Sequence, residues 1–582
     1  MKTVSAIRSS LLTGPLALSI FLQACAPTTG PAPVSPSPAV PPAALPATPS
    51  PAAAASSATA VPVPTPRPVS PQPTAAVPTA QALAETPRRG GIMLNHAQPL
   101  SILDPHQIPS TLVGRPFITP VFNSLLTRDP DTNYLKIVGD LAERWELSRD
   151  GSTYTFTLRS GMKWHDGKPI TAEDARFSLD RILNPPKGMP SPWKDMISLI
   201  TNIEVIDPTT LRIQIKHPSA SFASRLTLFN LSILPQHFYS NFSPTSAVVV
   251  GSGPFKVKSY SPGVRMELVR NPDFFRQGRP YLDGVNNFEI SDIRTAYGAL
   301  RAGRLHLTSI ILSAAEAEEL SKTPNFKVAR YGGAFLMVTL NPKRKPFDDV
   351  RVRRAVHLAM DRQAGLNATV LGWGSVGAHL MPGSEWAIPN EELTKMPGFR
   401  QPKNQDIAEA QKLMAEAGYT SGVDTTFIIR GGQRIFETQG LYVRDQLGKI
   451  GIRSTVVVKS GNSYFDALAQ ADYDALAARW APEDTDPEFT LVRHFSSGGE
   501  RNFTRFQDAK LQELLDKQAV TSDSSERLRL VRAAQDRVIE LGLDPMAYWF
   551  DLIAGYSTKL RNFKPGPTPN FPGKFYEIWL GE

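Results

Sequence analysis

A proline-rich run near the start of the chain limits what the sequence can fold into more than any other feature. Between Ala26 and Pro87 stand 18 of the 52 prolines, only two charged side chains, Arg67 and Glu85, and no aromatic ring. A stretch so poor in apolar bulk cannot bury enough surface to offset the entropy lost on ordering. It reads as a tether, with a random-coil reach of roughly 40 to 50 Å. About 490 residues remain for folding, enough for one large two-lobed body or two domains.

The residues ahead of the tether specify a destination. Lys2 and Arg8 precede a short apolar run, Leu11 to Leu22, and Leu22-Gln23-Ala24-Cys25 closes it with a small residue before the cysteine. This is the pattern of an export signal over 1–24, and its apolar run falls short of the about 20 residues that a spanning helix needs. The ending resembles a bacterial lipobox, which implies cleavage before Cys25 and lipidation of its thiol. Two or more acyl chains anchor stably, because each buried methylene contributes roughly 0.8 kcal/mol. The expected location is therefore outside the cytoplasm, lipid-anchored on the periplasmic or outer face of a membrane, with 25–88 serving as anchor and linker.

Several function classes are excluded early. Cys25 is the single cysteine, so no intramolecular disulfide and no cysteine-built zinc or iron-sulfur site can form. The charge of +9, from 63 basic and 54 acidic residues, is spread without a dense Lys/Arg block, which argues against a nucleic-acid partner. The nine histidines show no His-Glu-x-x-His spacing, no Gly-x-Ser-x-Gly elbow is present, and no nucleophile has a recognisable base. The sequence predicts no enzyme, no cofactor and no metal.

From Gly90 onward the texture is that of alternating strands and capped helices. Tyr154 to Leu158 alternates apolar residues with threonine, the period of a half-buried strand. Thr171 caps a helix whose first turn carries Glu173 and Asp174, with Ala175, Leu179 and Ile182 on one face. Hairpins turn at Asp207-Pro208-Thr209-Thr210 and at Ser261-Pro262-Gly263; further helices start at Asp348-Asp349 and end at Gly418. This mixture predicts α/β lobes built on sheets.

Within that pattern a family becomes readable. Leu141-Ala142-Glu143-Arg144-Trp145, Asp150-Gly151-Ser152-Thr153-Tyr154-Thr155-Phe156 and Gly161-Met162-Lys163-Trp164-His165-Asp166-Gly167 follow in order. Gly251-Ser252-Gly253-Pro254-Phe255, Arg270-Asn271-Pro272-Asp273-Phe274-Phe275 and Pro346-Phe347-Asp348-Asp349-Val350-Arg351 come after them. From about Arg89 to Glu582 the chain resembles the extracellular solute-binding proteins of family 5, receptors for ABC importers of peptides, nickel chelates and some oligosaccharides. The resemblance implies a two-lobed periplasmic-binding-protein-like fold of the class II type, with a hinge between lobes. Lobe I would cover 89–333 and be completed by 549–582; lobe II would cover 334–548. It also implies a monomer that captures a small solute, a peptide above all, between the lobes and delivers it to permease and ATPase subunits. A sensor or adhesin using the same fold without transport is the rival reading.

The resemblance also suggests contact residues. Arg479-Trp480-Ala481-Pro482-Glu483-Asp484-Thr485-Asp486 matches the family's tryptophan-plus-acid loop. Peptide binders there carry an aspartate three residues after the tryptophan that pairs with the ligand's amino terminus. Glu483 holds that position, flanked by Asp484 and Asp486, with one more methylene, which extends its reach by about 1.5 Å. Trp480 is placed either to stack on a ligand or to pack between strands. Arg430, ending the strand-like Thr425 to Ile429, or nearby Arg434, stands where some dipeptide binders hold the ligand carboxylate. From lobe I, Asn123 is the candidate. The Gly251-Ser252-Gly253 and Trp164-His165-Asp166-Gly167 segments read as structural turns.

Overall fold

The computed structural model describes residues 86–100, 102–108, 111–241, 248–309, 312–568 and 574–582; the export signal, Cys25 and most of the tether lie outside them. The alternation at 154–158 becomes the strand Thr153–Leu158, whose even-numbered residues point inward. It pairs antiparallel with Ala142–Leu147 on one side and Thr210–Ile215 on the other, and Ile200–Asp207 completes this four-stranded sheet. Thr171 and Asp174 form a capping box at the start of helix Ala172–Leu183, and Ala175, Leu179 and Ile182 pack onto Phe156, Leu211 and Ile213. A second four-stranded sheet orders Ile92–Ala97, Gly284–Glu289, Arg265–Arg270 and Phe255–Ser261, and its core holds Met93, Phe255, Leu268 and Val285.

Two long strands connect these modules to the rest of the molecule. Phe326–Leu340 and Met546–Ser557 run antiparallel, pairing from Phe326 with Ser557 to Met337 with Met546. Their outer ends contribute Ala329, Tyr331 and Ala554 to the first core. Their inner ends contribute Ala334, Leu336, Tyr548 and Phe550 to a second core around Phe347, Val356, Phe427 and Val443. Between the two halves the register breaks from Tyr331 to Ala334, at Gly332-Gly333, where Gly333 adopts φ +94°. A β-bulge with glycine in the left-handed region bends the strand, and it stands here where the strand pair leaves one core for the other. These strands belong to a six-stranded sheet that also holds Gly374–Ser375, Ala475–Trp480, Val423–Arg430 and Ile452–Lys459.

The two segments read as structural turns meet at their inner side, with Asp166 and Gly167 left exposed. Trp164 is fully buried with its indole N–H donating to Asp174, and the Nδ1 of His165 accepts from the backbone N–H of Gly251. A Cβ on Gly253 would lie 2.5 Å from the carbonyl carbon of Val121 and 2.6 Å from the oxygen of Pro120. Neither is a movable side-chain end, so Gly253→Ala is expected to destabilise by about 1 to 3 kcal/mol in denaturant unfolding; an unchanged midpoint would contradict this packing.

Buried histidines predict an acid limit. Burial pushes His106, His165 and His379 down to about 4 from an ordinary 6.5, and holds His357 and His494 well below it. The native state keeps these rings neutral, so the unfolded chain binds more protons as pH falls below 6.5. Their contribution is complete above pH 6.5 and lost progressively toward pH 4, on the order of 3 kcal/mol for each fully buried ring. Asp544, raised to about 7 by burial, works in the opposite sense over the same window and offsets about one histidine. Thermal melts from pH 7.5 to 4 should show a steep fall in Tm below 6.5.

Candidate functional site

The strands Ile452–Lys459, Val423–Arg430 and Ala475–Trp480 run parallel. Helix Arg434–Gly448 follows the middle strand, and Asn462–Ala469 follows the first. In open parallel sheets ligands bind in the crevice beyond the carboxyl ends of the strands, and here that edge carries Arg430, Arg479 and Trp480. They line a crevice of about 350 Å³, counting its open mouth, with Leu336, Phe436, Tyr464, Phe465 and Ala477.

Two guanidinium groups dominate its chemistry. Arg430 lies 4.6 Å from the ring centroid of Phe436 and 5.0 Å from that of Phe465; Arg479 lies 4.4 Å from Phe436 and 4.4 Å from Phe550. Such stacking orients a cation without neutralising it. Among the described residues neither arginine forms an ion pair. Part of Arg479 reaches the crevice surface, yet its Nε is buried without a hydrogen-bond partner, as is the Nε1 of Trp480. Burial pushes Arg479 down to about 10, and the neighbouring charge of Arg430 adds to the shift. Trp480 stacks near-parallel on Phe503 at 6.2 Å, and Arg501 sits 4.6 Å over its ring.

The acidic loop is differently employed from what the sequence suggests. Glu483 is paired with Arg493 and, at 2.8 Å, with Arg501. Burial pushes its carboxyl up, but the two guanidinium charges outweigh it and hold Glu483 below the ordinary glutamate range. Asp484 receives both prongs of Arg128 at 2.7 and 2.8 Å, whereas burial keeps it above the ordinary aspartate range. Asp486 receives both prongs of Arg527 at 2.8 and 2.9 Å and caps the turn Pro487–Phe489. The expectation that these carboxylates face a ligand ammonium is therefore revised. Each faces an arginine of the chain itself, and an ammonium at Glu483 would have to displace two guanidiniums.

Two of these contacts join the loop to elements of the Phe156 core. Arg128 ends the strand Leu126–Arg128, and Arg225, which pairs with Glu488 at 2.8 Å, belongs to helix Phe222–Arg225. Phe489 reaches into the core built around Phe156. Asn123 lies on the lobe I side, donating to Asp140 at 2.9 Å and accepting from Ser252 at 3.1 Å. It lines a separate cavity of about 680 Å³ with Arg128, Asp140 and Tyr576. Arg434 is exposed in the first turn of its helix and does not line the crevice. Sequence reasoning missed Arg479 and Arg128. The available signal for Arg479 was a charge ending the otherwise apolar run Ala475-Leu476-Ala477-Ala478, on a strand buried on both faces.

Among the described residues no cluster of metal-ligating side chains occurs, and no helix is long and apolar enough to cross a membrane. Residues 136–502 match the family model described as bacterial extracellular solute-binding proteins, family 5 middle. The chain belongs to that family. This family 5 protein is 27% identical over 423 residues to heme-binding protein A of Haemophilus influenzae, covering 68% of this chain and 76% of the relative. It is 26% identical over 476 residues to di/tripeptide-binding protein 1 of Pseudomonas aeruginosa, covering 77% and 86%. The solved structure of the PBP AgaA in complex with agropinic acid, from A. tumefacien R10, superposes with a TM-score of 0.68 at 27% identity, covering 85% of this chain and 99% of that one. The fold is the two-lobed α/β arrangement of these binding proteins.

Proposed function

We propose that this family 5 protein is the substrate-binding lipoprotein of an ABC importer, anchored through Cys25 and the 25–88 linker. In this reading it captures a small polar solute, a peptide above all, between lobe I, 89–333 with 549–582, and lobe II, 334–548, and delivers it to permease and ATPase subunits. The observation that carries the reading is the crevice at the carboxyl ends of the parallel strands, where Arg430 and Arg479 stand beside Trp480 without a counter-ion among the described residues. A solute carboxylate would take the two guanidinium forks in charge-assisted hydrogen bonds, and Trp480 would cover an adjoining apolar group. The names of the relatives support a small-solute receptor, since one is a di/tripeptide-binding protein and another structure holds agropinic acid. Closure at the Gly332-Gly333 joint would bury the solute where such bonds strengthen. A useful affinity would be about micromolar, roughly 8 kcal/mol. A thermal-shift screen of the purified protein against di- to pentapeptides, nickel chelates and oligosaccharides tests this: a solute bound by the native state alone raises Tm. A silent screen would favour a sensor or adhesin role over transport.

A further inference from the structure

The crevice and the cluster packed around Trp480 and Glu483 have an unbalanced inventory of hydrogen-bonding groups. The Nε atoms of Arg479 and Arg493, Nη1 of Arg501 and Nε1 of Trp480 are all buried without a partner. All four are donors, and none of these side chains can accept. His494, against Trp480 at 5.6 Å, adds a ring whose two nitrogens are also unpartnered and which burial keeps neutral, hence one donor and one acceptor. The charges are lopsided in the same direction. Arg493 and Arg501 are balanced by Glu483 and Glu500, while Arg430 and Arg479 have no carboxylate among the described residues.

We propose that this crevice selects an anionic, acceptor-rich solute and makes no ammonium contact at Glu483, with Arg493 and Arg501 as the specificity-determining residues that occupy that carboxylate. The inference rests on the receptor reading and names its substrate class. An ammonium brings only donors to a wall that already has an excess of them, and meets the two arginines that line it, Arg430 and Arg479. A carboxylate brings acceptors and negative charge, and so relieves both imbalances. Glu483 then serves as an internal counter-ion that fixes two guanidinium planes, one of them against Trp480. In a receptor with an amine clamp the same carboxylate would have to be open.

Three matched probes on the purified protein test this: Phe-Glu, N-acetyl-Phe-Glu, and Phe-Glu with both carboxyls amidated. The acetylated acid is expected to raise Tm at least as much as the free dipeptide, and the amidated amine to give no shift at up to about 10 mM. Glu483→Gln removes a negative charge from the cluster beside Trp480 and is expected to tighten the acetylated acid several-fold. The inference is overturned if acetylation abolishes the shift, if the amidated amine stabilises as well as the acids do, or if Glu483→Gln loses the free dipeptide while retaining its fold. If none of the three probes stabilises the protein, the proposed substrate class fails, whereas the receptor reading is judged separately by the broader screen. The probe series needs only the native chain, so a poorly folding variant leaves the decision intact.

Discussion

Arg128→Met is expected to cost about 3 to 5 kcal/mol in denaturant unfolding, because it strands a buried carboxylate. Asp484 is 1% exposed, and both of its oxygens are held by the Arg128 fork. The same guanidinium also donates to Ser224 Oγ at 2.8 Å and to the carbonyl oxygens of Tyr134 and Leu135 at 3.0 and 3.1 Å. Removing it leaves a buried carboxylate with Asp486 nearby, whose charge already pushes Asp484 up. Because the contact links the strand Leu126–Arg128 to the loop after Trp480, the variant should also have a larger radius of gyration in solution scattering. Adding Asp484→Leu should recover much of the stability, since replacing both partners removes the stranded charge. A loss below about 1 kcal/mol for the single variant would show that the bridge does not hold the lobes together.

Arg479→Met is expected to separate binding from stability. Truncating one partner of a desolvated charged contact costs about 2 to 5 kcal/mol of affinity, which is at least about a 30-fold loss. The melting temperature should nevertheless hold or rise, because a half-buried guanidinium with an unpartnered Nε and no counter-ion opposes folding. Titration of whichever solute gives the largest thermal shift, with melts of parent and variant, checks both halves. Arg479→Lys should not restore affinity, since a point charge cannot reproduce the planar fork stacked on Phe436 and Phe550. A variant that melts far below the parent would show instead that Arg479 is a structural residue.

The parts of this molecule that are local in sequence were legible there. Thr171 with Asp174 announced a helix start, the period-two pattern at 154–158 announced a strand with its inner face, and Asp207-Pro208 announced a hairpin turn. The crevice strand was legible as well, because the strand-like Thr425 to Ile429 ends in Arg430 before two glycines. What could not be read was how the charges pair. Glu483 finds Arg493 and Arg501 at separations of 10 and 18 residues, across a helix and a turn, and Asp484 finds Arg128 from 356 residues away. A sequence shows that a loop is acidic, but only the fold shows whether its carboxylates are open or already satisfied. Trp480 illustrates the same limit: it lines the crevice and its ring stacks on Phe503, a neighbour 23 residues away that the sequence does not reveal.

The most direct measurement is a crystal structure of the protein with its best-stabilising solute. The expected density lies between the lobes at the carboxyl ends of the parallel strands, with an acidic group of the solute within hydrogen-bond distance of Arg430 and Arg479, a face against Trp480, and Glu483 still held by Arg493 and Arg501. A solute whose ammonium sits on Glu483 with those two arginines swung away, or one bound outside the crevice, would contradict it.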